Sequence, residues 1–151
     1  MTASAEASRA GVSWPGAGEL CFLDTSALYA VFDRSQTRSA DAVAAWERLV
    51  RSDAALLTSS YILLELVALL QRRLGLDAVV ALQDFVLPWV EVEWVDAARH
   101  DGALAVVLGA RRHDVSLVDA VSFGHMRSRR VRHAFTLDKH FAEQGFVCLP
   151  E

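Results

Sequence analysis

Four acidic side chains stand where an unpaired charge should be costly, and they are the side chains best able to do chemistry. The residues are Asp24, Glu65, Asp119 and Asp138, each of which interrupts or follows a run of apolar residues. A carboxylate in an apolar setting must be neutralised, paired or bound to a metal ion. If the four meet in space, a cation has to offset their mutual repulsion, and carboxylates suit Mg²⁺ or Mn²⁺ whereas zinc favours histidine or cysteine. The pattern therefore indicates a hard divalent ion and phosphate chemistry.

Three of these acids also have a purely structural explanation. Asp24 and Asp138 each follow a short apolar strand. Ligands bind at that end of the strands in parallel sheets, but an aspartate there can also simply cap the next helix. Asp119 follows Ser116 by three residues, which is the spacing of a helix capping box. The combination of the acids, rather than any one of them, favours a site.

Glu65 lies in the middle of an apolar helical segment, where capping cannot explain it. Its neighbours over 61–70 are apolar on nearly every side. We therefore expect the glutamate to be buried, either in the site or in a salt bridge with Arg72 or Arg73. A helix that is apolar nearly all round also exceeds what contact with one sheet requires, so we expect a second buried face and a homodimer.

The acids are placed by an alternation of strand and helix patterns that begins near residue 20. Strands are predicted over 21–24, 54–58, 89–95, 131–137 and 146–149, and helices over 26–32, 39–50, 61–74, 77–87, 96–110 and 116–129, with one further turn before the last strand. Asp77 is expected to cap the fourth helix, and Pro88 to end it. Because parallel strands need crossover connections, the alternation indicates a three-layered α/β fold with a mostly parallel sheet. Residues 1–19 show no sustained period and are interpreted as a flexible extension, and residues 20–151 as one domain.

Composition narrows the class of protein. At 151 residues with 53% hydrophobic residues, the chain fits one domain with a well-formed core. A net charge of −4 argues against a protein that coats nucleic acid through bulk electrostatics, although residues 111–140 carry seven basic and three acidic side chains. No apolar run is long enough to span a bilayer or to act as a secretory signal, so a soluble, cytoplasmic protein without a membrane partner is expected. Only Cys21 and Cys148 occur, each in a predicted strand, which indicates neither a disulfide framework nor a zinc site.

Four stretches of the sequence resemble the motifs of PIN-domain nucleases, and within that superfamily the chain most resembles the VapC toxins of bacterial toxin-antitoxin pairs. The stretches are Phe-Leu-Asp-Thr-Ser-Ala-Leu at 22–28, the helical Glu65, Ser-Leu-Val-Asp-Ala at 116–120 and Phe-Thr-Leu-Asp-Lys-His-Phe at 135–141. The resemblance covers about residues 20–150 and implies that the four acids bind the metal and carry catalysis. It further implies that the hydroxyls of Ser26 and Thr136 orient carboxylates or water on the metal.

The resemblance also implies a fold, an activity and partners. The fold is a three-layer α/β/α arrangement with a five-stranded parallel sheet of order 3-2-1-4-5. Strand 4 of such a sheet would separate Cys21 from Cys148 by roughly 9 to 10 Å, too far for a disulfide. The activity is that of a Mg²⁺- or Mn²⁺-dependent endoribonuclease that leaves 5′-phosphate and 3′-hydroxyl ends and, as a toxin, inhibits translation. A small antitoxin would cover the acidic cleft and insert an arginine there, and a homodimer is in keeping with the family.

Six arginines around the last two motifs are candidates for contact with RNA. They are Arg111, Arg112, Arg127, Arg129, Arg130 and Arg132. Such contacts would position a strand without reading its sequence, although each arginine can also belong to an ordinary solvated helix face. The five histidines, at 100, 113, 125, 133 and 140, lack a metal-ligand spacing and are expected at the surface or facing RNA.

Two alternatives stay open. One is a PIN nuclease of housekeeping RNA processing or of structured DNA, which uses the same metal site without an antitoxin. The other is a catalytically silent PIN module that binds RNA or a protein, although such a module has no evident reason to keep four costly carboxylates. A haloacid-dehalogenase-type phosphatase is disfavoured, because that chemistry needs a second aspartate where Ser26 stands.

Overall fold

The structure, a computed structural model, describes residues 11–151 and contains one sheet surrounded by helices. The strands are β1 (Leu20–Leu23), β2 (Ala55–Ser59), β3 (Val90–Glu93), β4 (His133–Phe135) and β5 (Val147–Leu149). The helices are α1 (Thr25–Phe32), α2 (Ser39–Arg51), α3 (Ser60–Arg73), α4 (Leu76–Ala81), α5 (Ala97–Ala110), α6 (Leu117–Ser128) and α7 (Lys139–Glu143). A π-helical turn, Leu82–Val86, and a 3₁₀ turn, Leu87–Trp89, join α4 to β3. No helix in this part of the chain is long and apolar enough to cross a membrane.

All five strands form one parallel sheet in the order β3-β2-β1-β4-β5. This order confirms the predicted 3-2-1-4-5 sheet and the α/β class. The central strand is β1, in which Phe22 pairs with Leu57 on one side and with Ala134 on the other. Since β4 separates Cys21 in β1 from Cys148 in β5, both thiols are free, as expected.

Side chains of β1 alternate between the two faces of the sheet, and each face has its own core. Leu23 joins the core under α1, α2 and α3, which includes Leu28. Phe22 joins the opposite core, where it packs with Phe123 of α6 and Phe141 of α7. Helices therefore cover both faces, as a parallel sheet requires, and the three-layer prediction is confirmed.

Polar side chains fix where five of the helices in the described chain begin. Hydrogen bonds from backbone N–H groups cap α1, α3, α5, α6 and α7 at Asp24, Ser59, Asp96, Ser116 and Asp138, respectively. Each cap satisfies a backbone donor that the helix itself leaves unpaired. Two of the five are acidic residues after neighbouring strands: Asp24 directly follows β1, and Asp138 comes three residues after the end of β4, so the caps also gather acidic groups at one edge of the sheet.

The predicted helix over 77–87 is wrong at both ends. Helix α4 begins after Gly75, whose φ of 91° suits glycine, so Asp77 lies inside the first turn and does not cap it. The regular helix stops at Ala81, and a wider and then a tighter turn carry the chain to β3. Pro88, which has no N–H to donate, lies in the last of these turns.

Strand β4 is shorter than the predicted 131–137, because both ends of that segment make other contacts. The Val131 N–H donates to the Met126 carbonyl at 2.8 Å, which closes the end of α6. The Leu137 N–H donates to Ser26 Oγ at 2.8 Å instead of extending the ladder. The chain therefore leaves the sheet beside the end of β1.

The described part of the N-terminal segment, residues 11–19, has contacts with the domain. The Arg48 guanidinium of α2 lies 4.0 Å from the centroid of the Trp14 ring. A cation over an indole face is a favourable contact and places this part of the segment on α2. Residues 1–10 of the predicted extension lie outside the described chain, and the domain boundary at residue 20 stays a prediction.

Candidate metal centre

Asp24 stands at the centre of the site, directly after β1. Its Oδ2 atom accepts hydrogen bonds from Ser26 Oγ at 2.5 Å and from Thr136 Oγ1 at 2.8 Å. The same oxygen caps α1 by accepting from the Ser26 N–H at 3.4 Å. Ser26 and Thr136 therefore lie against the carboxylate that they are predicted to orient. Within residues 11–151, no hydrogen bond uses Asp24 Oδ1, which is left for a ligand.

Burial makes the Asp24 carboxylate costly to ionise. The residue is only 5% exposed, and loss of hydration raises its pKa to about 6. Hydrogen bonds from Ser26 and Thr136 lower the pKa, while the charge of Asp119 raises it further. In the described chain, no arginine or lysine forms an ion pair with Asp24. The carboxylate therefore has hydroxyl donors but no positively charged side chain beside it, and a bound metal ion would supply that charge.

Asp138 follows β4 and is tied to Asp24 through Thr136. The Thr136 hydroxyl, which donates to Asp24, accepts from the Asp138 N–H at 3.0 Å. Asp138 in turn caps α7, where its Oδ1 accepts from the His140 N–H at 2.9 Å. The neighbouring strands β1 and β4 thus bring both aspartates to the carboxyl edge of the sheet, where ligands of such folds bind.

Asp119 forms the predicted capping box and also lies in the site. Its N–H donates to Ser116 Oγ at 3.1 Å, and its Oδ2 accepts from the Ser116 N–H at 3.0 Å. One carboxylate oxygen of Asp119, one of Asp138 and one ring nitrogen of His140 all lie within 4.8 Å of one another. A structural role for the acid and a place in the site are therefore compatible, since a cap needs only one acceptor.

His140 is a site residue that the sequence prediction missed. Its side chain is 12% exposed, and its Nδ1 lies 2.8 Å from Asp138 Oδ1. The expectation that the histidines lie at the surface or face RNA is wrong for His125 and His133, which are buried in the domain. The available signal is the spacing Asp-x-His at a helix start, because a cap and the residue two positions later lie in the same turn.

A chain of polar contacts holds His140 from the other side of its ring. The Nε2 atom lies 3.0 Å from Asp114 Oδ2. Asp114 is itself held by Arg112, whose Nε and Nη2 donate to the two carboxylate oxygens at 3.0 and 2.7 Å. The hydrogen bond with Asp114 is the main cause that raises the pKa of His140. Arg112 is the main cause that holds the pKa of Asp114 well below its usual range.

Glu65 is exposed, so the prediction of a buried glutamate is wrong. The buried stripe of α3 is narrow and has a four-residue spacing. It consists of Ile62, Leu66 and Leu70. Glu65 lies beside this stripe, and the expected salt bridge with an arginine near the helix end does not form in residues 11–151. It shares a shallow depression with Leu117 and Val118, which precede Asp119 in the chain. It lies outside the three-residue group, so its part in metal binding stays a prediction.

Three of the six predicted RNA-binding arginines are engaged within the protein. Arg112 pairs with Asp114, and Arg127 donates a hydrogen bond to Gln144. Arg129 pairs with both Glu91 and Glu93. Arg111, Arg130 and Arg132 are exposed, and their side chains form no hydrogen bond or ion pair within the described residues. This second set remains open to a phosphate backbone, and contact of any of the six with RNA stays a prediction.

The donor set of the cleft suits a hard divalent cation. Asp119 and Asp138 offer carboxylate oxygens, which Mg²⁺ and Mn²⁺ prefer, within 4.8 Å of a ring nitrogen of His140. Asp24 lies outside this three-residue group and is linked to Asp138 through Thr136. Burial is the main cause of the raised pKa of Asp24, and a bound cation would offset the cost of the ionised form. We call Asp24, Asp119, Asp138 and His140 the acidic cleft.

Comparison with known families and curated proteins matches almost the whole described chain. Residues 21–147 match the PIN domain. The chain is 32% identical over 129 residues to the 23S rRNA-specific endonuclease VapC20 of Mycobacterium tuberculosis, in both the CDC 1551 and the H37Rv strains. The match covers 85% of this chain and 96% of VapC20.

Three solved structures have the same architecture. The crystal structure of Mycobacterium tuberculosis VapC20, described as a toxin that cleaves the sarcin-ricin loop, matches with a TM-score of 0.70 at 34% identity, over 84% of this chain and 96% of that one. FitAcB from Neisseria gonorrhoeae matches at 0.60 and 18% identity, over 85% and 95% of the two chains. VapBC2 from Rickettsia felis, bound to a DNA fragment from its promoter, matches at 0.62 and 13% identity, over 85% and 96%. Because FitAcB and VapBC2 are only 18% and 13% identical to this chain, these two matches show a shared fold and nothing more.

Proposed function

The chain belongs to the PIN-domain family, and on that basis we propose that it is an endoribonuclease that hydrolyses phosphodiester bonds of RNA with Mg²⁺ or Mn²⁺. The proposal includes 5′-phosphate and 3′-hydroxyl products and the role of a toxin that inhibits translation. The observation that carries it is the meeting of Asp119, Asp138 and His140 within 4.8 Å, beside the buried Asp24. Titratable groups gathered in this way beside a buried carboxylate are typical of a functional site.

Asp24, Asp119 and Asp138 would hold the metal ion, with Glu65 as the fourth predicted acid. A divalent ion bound there supplies Lewis acidity and positive charge next to a phosphodiester. Ser26 and Thr136 hold Asp24 Oδ2 by hydroxyl hydrogen bonds. They thereby fix the carboxylate in one orientation before a ligand arrives, which reduces the entropy lost on binding.

Ribosomal RNA is the proposed substrate class. The relative VapC20 is named for 23S rRNA and for the sarcin-ricin loop, and it is 32% identical to this chain over most of both proteins. On this chain, Arg111, Arg130 and Arg132 are the arginines left to contact RNA phosphates. Phosphate contacts give affinity for any strand, so the choice of cleavage site must come from other contacts.

A protein antitoxin and a second copy of the chain are the proposed partners. A basic segment inserted into the acidic cleft would supply the positive charge that Asp24 lacks, and would block the metal at the same time. Helix α3 exposes Leu64, a residue that is 71% accessible, and this exposed apolar residue supports self-association through that helix. A cytoplasmic location follows from a ribosomal substrate.

The experiment that tests the proposal is a cleavage assay with mapped RNA ends. The purified chain, freed of any bound protein, is incubated with total RNA and with 23S rRNA in Mg²⁺ or Mn²⁺, beside a sample with EDTA. We expect a few discrete cuts whose downstream fragments ligate through a 5′-phosphate, and no cuts with EDTA. Asp24→Asn should abolish cleavage, while Asp101→Asn, the same change at an exposed aspartate of α5, should not.

Three outcomes would change the proposed function or its ligand set. No cleavage by folded, metal-loaded protein would reject the nuclease and favour a module that binds RNA or protein. Cleavage without arrest of translation in cells would favour an RNA-processing enzyme without an antitoxin. Full activity of Glu65→Gln would remove Glu65 from the ligand set and leave the rest of the proposal unchanged.

A further inference from the structure

We propose that His140 is a metal ligand of the acidic cleft through its Nδ1 atom, and that Asp114 is a positioning residue that holds the opposite side of the ring. The inference rests on the proposed metal-dependent function and deepens it, because it adds a nitrogen donor to a set of carboxylates. It concerns residues that the sequence motifs do not assign to the metal.

The surroundings of His140 Nδ1 are those of a ligand atom rather than of a hydrogen-bonded one. The atom is buried and has no hydrogen-bond partner within residues 11–151. Asp138 Oδ1 is only 2.8 Å away, so the direction between the two atoms, not their distance, is what fails to fit a hydrogen bond. Two ligands of one six-coordinate ion with bonds near 2.1 Å lie about 3 Å apart, which is the separation seen here.

Asp114 determines which ring nitrogen carries the proton. Its Oδ2 is 3.0 Å from His140 Nε2, and a carboxylate can only accept, so Nε2 must be the donor. In a neutral imidazole the lone pair is then on Nδ1, which lies 2.8 Å from Asp138 Oδ1. Histidines that bind metals commonly have a carboxylate on the second nitrogen in this way, which fixes the ring and strengthens the donor.

Arg112 makes this arrangement rigid although Asp114 itself is exposed. Its guanidinium donates two parallel hydrogen bonds to Asp114, at 3.0 and 2.7 Å, and lies 3.5 Å from Glu143 of α7. Two-point contacts of this kind restrict the carboxylate to one orientation. Arg112 therefore acts on the cleft through Asp114 and His140, and its role differs from the phosphate contact predicted for it.

A nitrogen donor changes which ions the cleft prefers. Mg²⁺ takes oxygen ligands almost exclusively, whereas Mn²⁺ also accepts imidazole and stands lower than the later transition metals in general affinity. We therefore expect His140 to favour Mn²⁺ over Mg²⁺. Replacement of His140 should weaken Mn²⁺ binding by tenfold or more and Mg²⁺ binding by less.

The direct test is pulsed electron paramagnetic resonance of the Mn²⁺-loaded full chain, without RNA. A directly bound imidazole produces ¹⁴N modulation in such spectra, and we expect this signal in the wild-type protein and its loss in His140→Gln. A Mn²⁺ titration of the same samples measures affinity. Circular dichroism establishes that each variant is folded.

Asp114→Asn tests the positioning role against a matched control. We expect a roughly tenfold loss of Mn²⁺ affinity, the lower end of what removal of such a partner costs. Glu143→Gln removes the same charge close to His140 without removing its hydrogen bond, and should change the affinity much less. In metal-free protein at a pH high enough to keep the ring neutral, ring ¹⁵N shifts of His140 should report a proton on Nε2, and that preference should weaken in Asp114→Asn.

The outcomes separate this inference from the proposed function. Stoichiometric Mn²⁺ binding without ¹⁴N modulation, or with modulation that survives in His140→Gln, would overturn the role of His140 and leave the metal site intact. Equal losses in Asp114→Asn and Glu143→Gln would reduce the role of Asp114 to its charge and overturn its positioning role. Absence of Mn²⁺ binding by the wild-type chain would overturn the metal-dependent function as well.

Discussion

The Thr136 hydroxyl donates to Asp24 Oδ2 at 2.8 Å although 112 residues separate the two along the chain. Their strands are neighbours, and Leu23 of β1 pairs with Phe135 of β4, so the residues that follow each strand meet at the same edge. Thr136 also accepts from the Asp138 N–H, which makes it the link between two acids of the cleft. The strand pair β1 and β4 therefore positions the site. The free energy of unfolding that the buried Asp24 costs the protein should be measurable.

Asp24→Asn should stabilise the metal-free protein while it abolishes cleavage. Burial raises the pKa of Asp24 from 3.8 to about 6, so at neutral and higher pH the ionised carboxylate opposes folding by up to about 3 kcal/mol. An uncharged amide avoids that cost. Urea unfolding at pH 8 in EDTA should therefore give a higher free energy of unfolding for the variant.

The control for that measurement is Asp101→Asn at an exposed position. Surface changes of this kind alter stability by roughly 0.5 kcal/mol at most. If Asp24→Asn were less stable than wild type, the hydrogen bonds that Asp24 accepts from Ser26 and Thr136 would stabilise the fold by more than its desolvation destabilises it. The inference that the ionised carboxylate opposes folding would then be wrong.

Short-range signals account for what the sequence predicts correctly about the site. A helix cap that follows an apolar strand is visible in a few consecutive residues. Because parallel strands end at a common edge of the sheet, these local patterns also predict that Asp24 and Asp138 lie close together. The capping box likewise places Asp119 in the first turn of α6. Their roles in binding a metal stay predictions.

Long-range packing accounts for what the sequence does not predict. Whether Glu65 is buried depends on which side of α3 packs against the sheet. The sequence does not identify that side, because α3 also carries exposed apolar residues such as Leu64. His140 depends on Asp114, which lies 26 residues earlier in the loop before α6. No periodicity in the sequence reports a contact of that kind.

His125→Gln should reduce the dependence of stability on pH. His125 is 2% exposed, and burial, followed by the charge of Arg99, lowers its pKa below the ordinary value of 6.5. In the acidic range the unfolded chain then binds a proton that the folded chain resists, so wild-type stability falls as the pH drops through 6.5 and below. Urea unfolding at pH 8 and pH 5.5 should show a smaller difference for the variant than for wild type.

The matched control is His113→Gln, which removes a histidine from an exposed position. Its pH dependence should remain close to that of the wild-type protein. A wild-type slope in His125→Gln would contradict the assignment, and would point to the carboxylates as the groups that set the pH dependence.

Arg129→Ala and Arg132→Ala should separate a structural arginine from an RNA-binding one. Arg129 pairs with Glu91 and Glu93 of β3, so its loss should lower the melting temperature by a few degrees. Arg132 is exposed and unpaired in the described chain, so its loss should weaken RNA binding and leave stability unchanged.

Binding is best measured in the Asp24→Asn background, where RNA is not cut. If Arg132 contacts one phosphate of a single strand, its loss should reduce the slope of log affinity against log salt by about 0.7. An unchanged affinity and slope in Arg132→Ala would remove this residue from the RNA interface.

Leu64→Glu should convert a dimer into a monomer if α3 is the interface between copies of the chain. Leu64 is 71% exposed and shares a surface depression with Tyr61 and Leu117, so a charge there would be buried without a partner in any dimer formed through this surface. Sedimentation at micromolar concentration should show a dimer for wild type and a monomer for the variant. Leu108→Glu, at a similarly exposed apolar position of α5, is the control for added charge. A wild-type monomer would reject the dimer, and a dimer that survives Leu64→Glu but not Leu108→Glu would move the interface to α5.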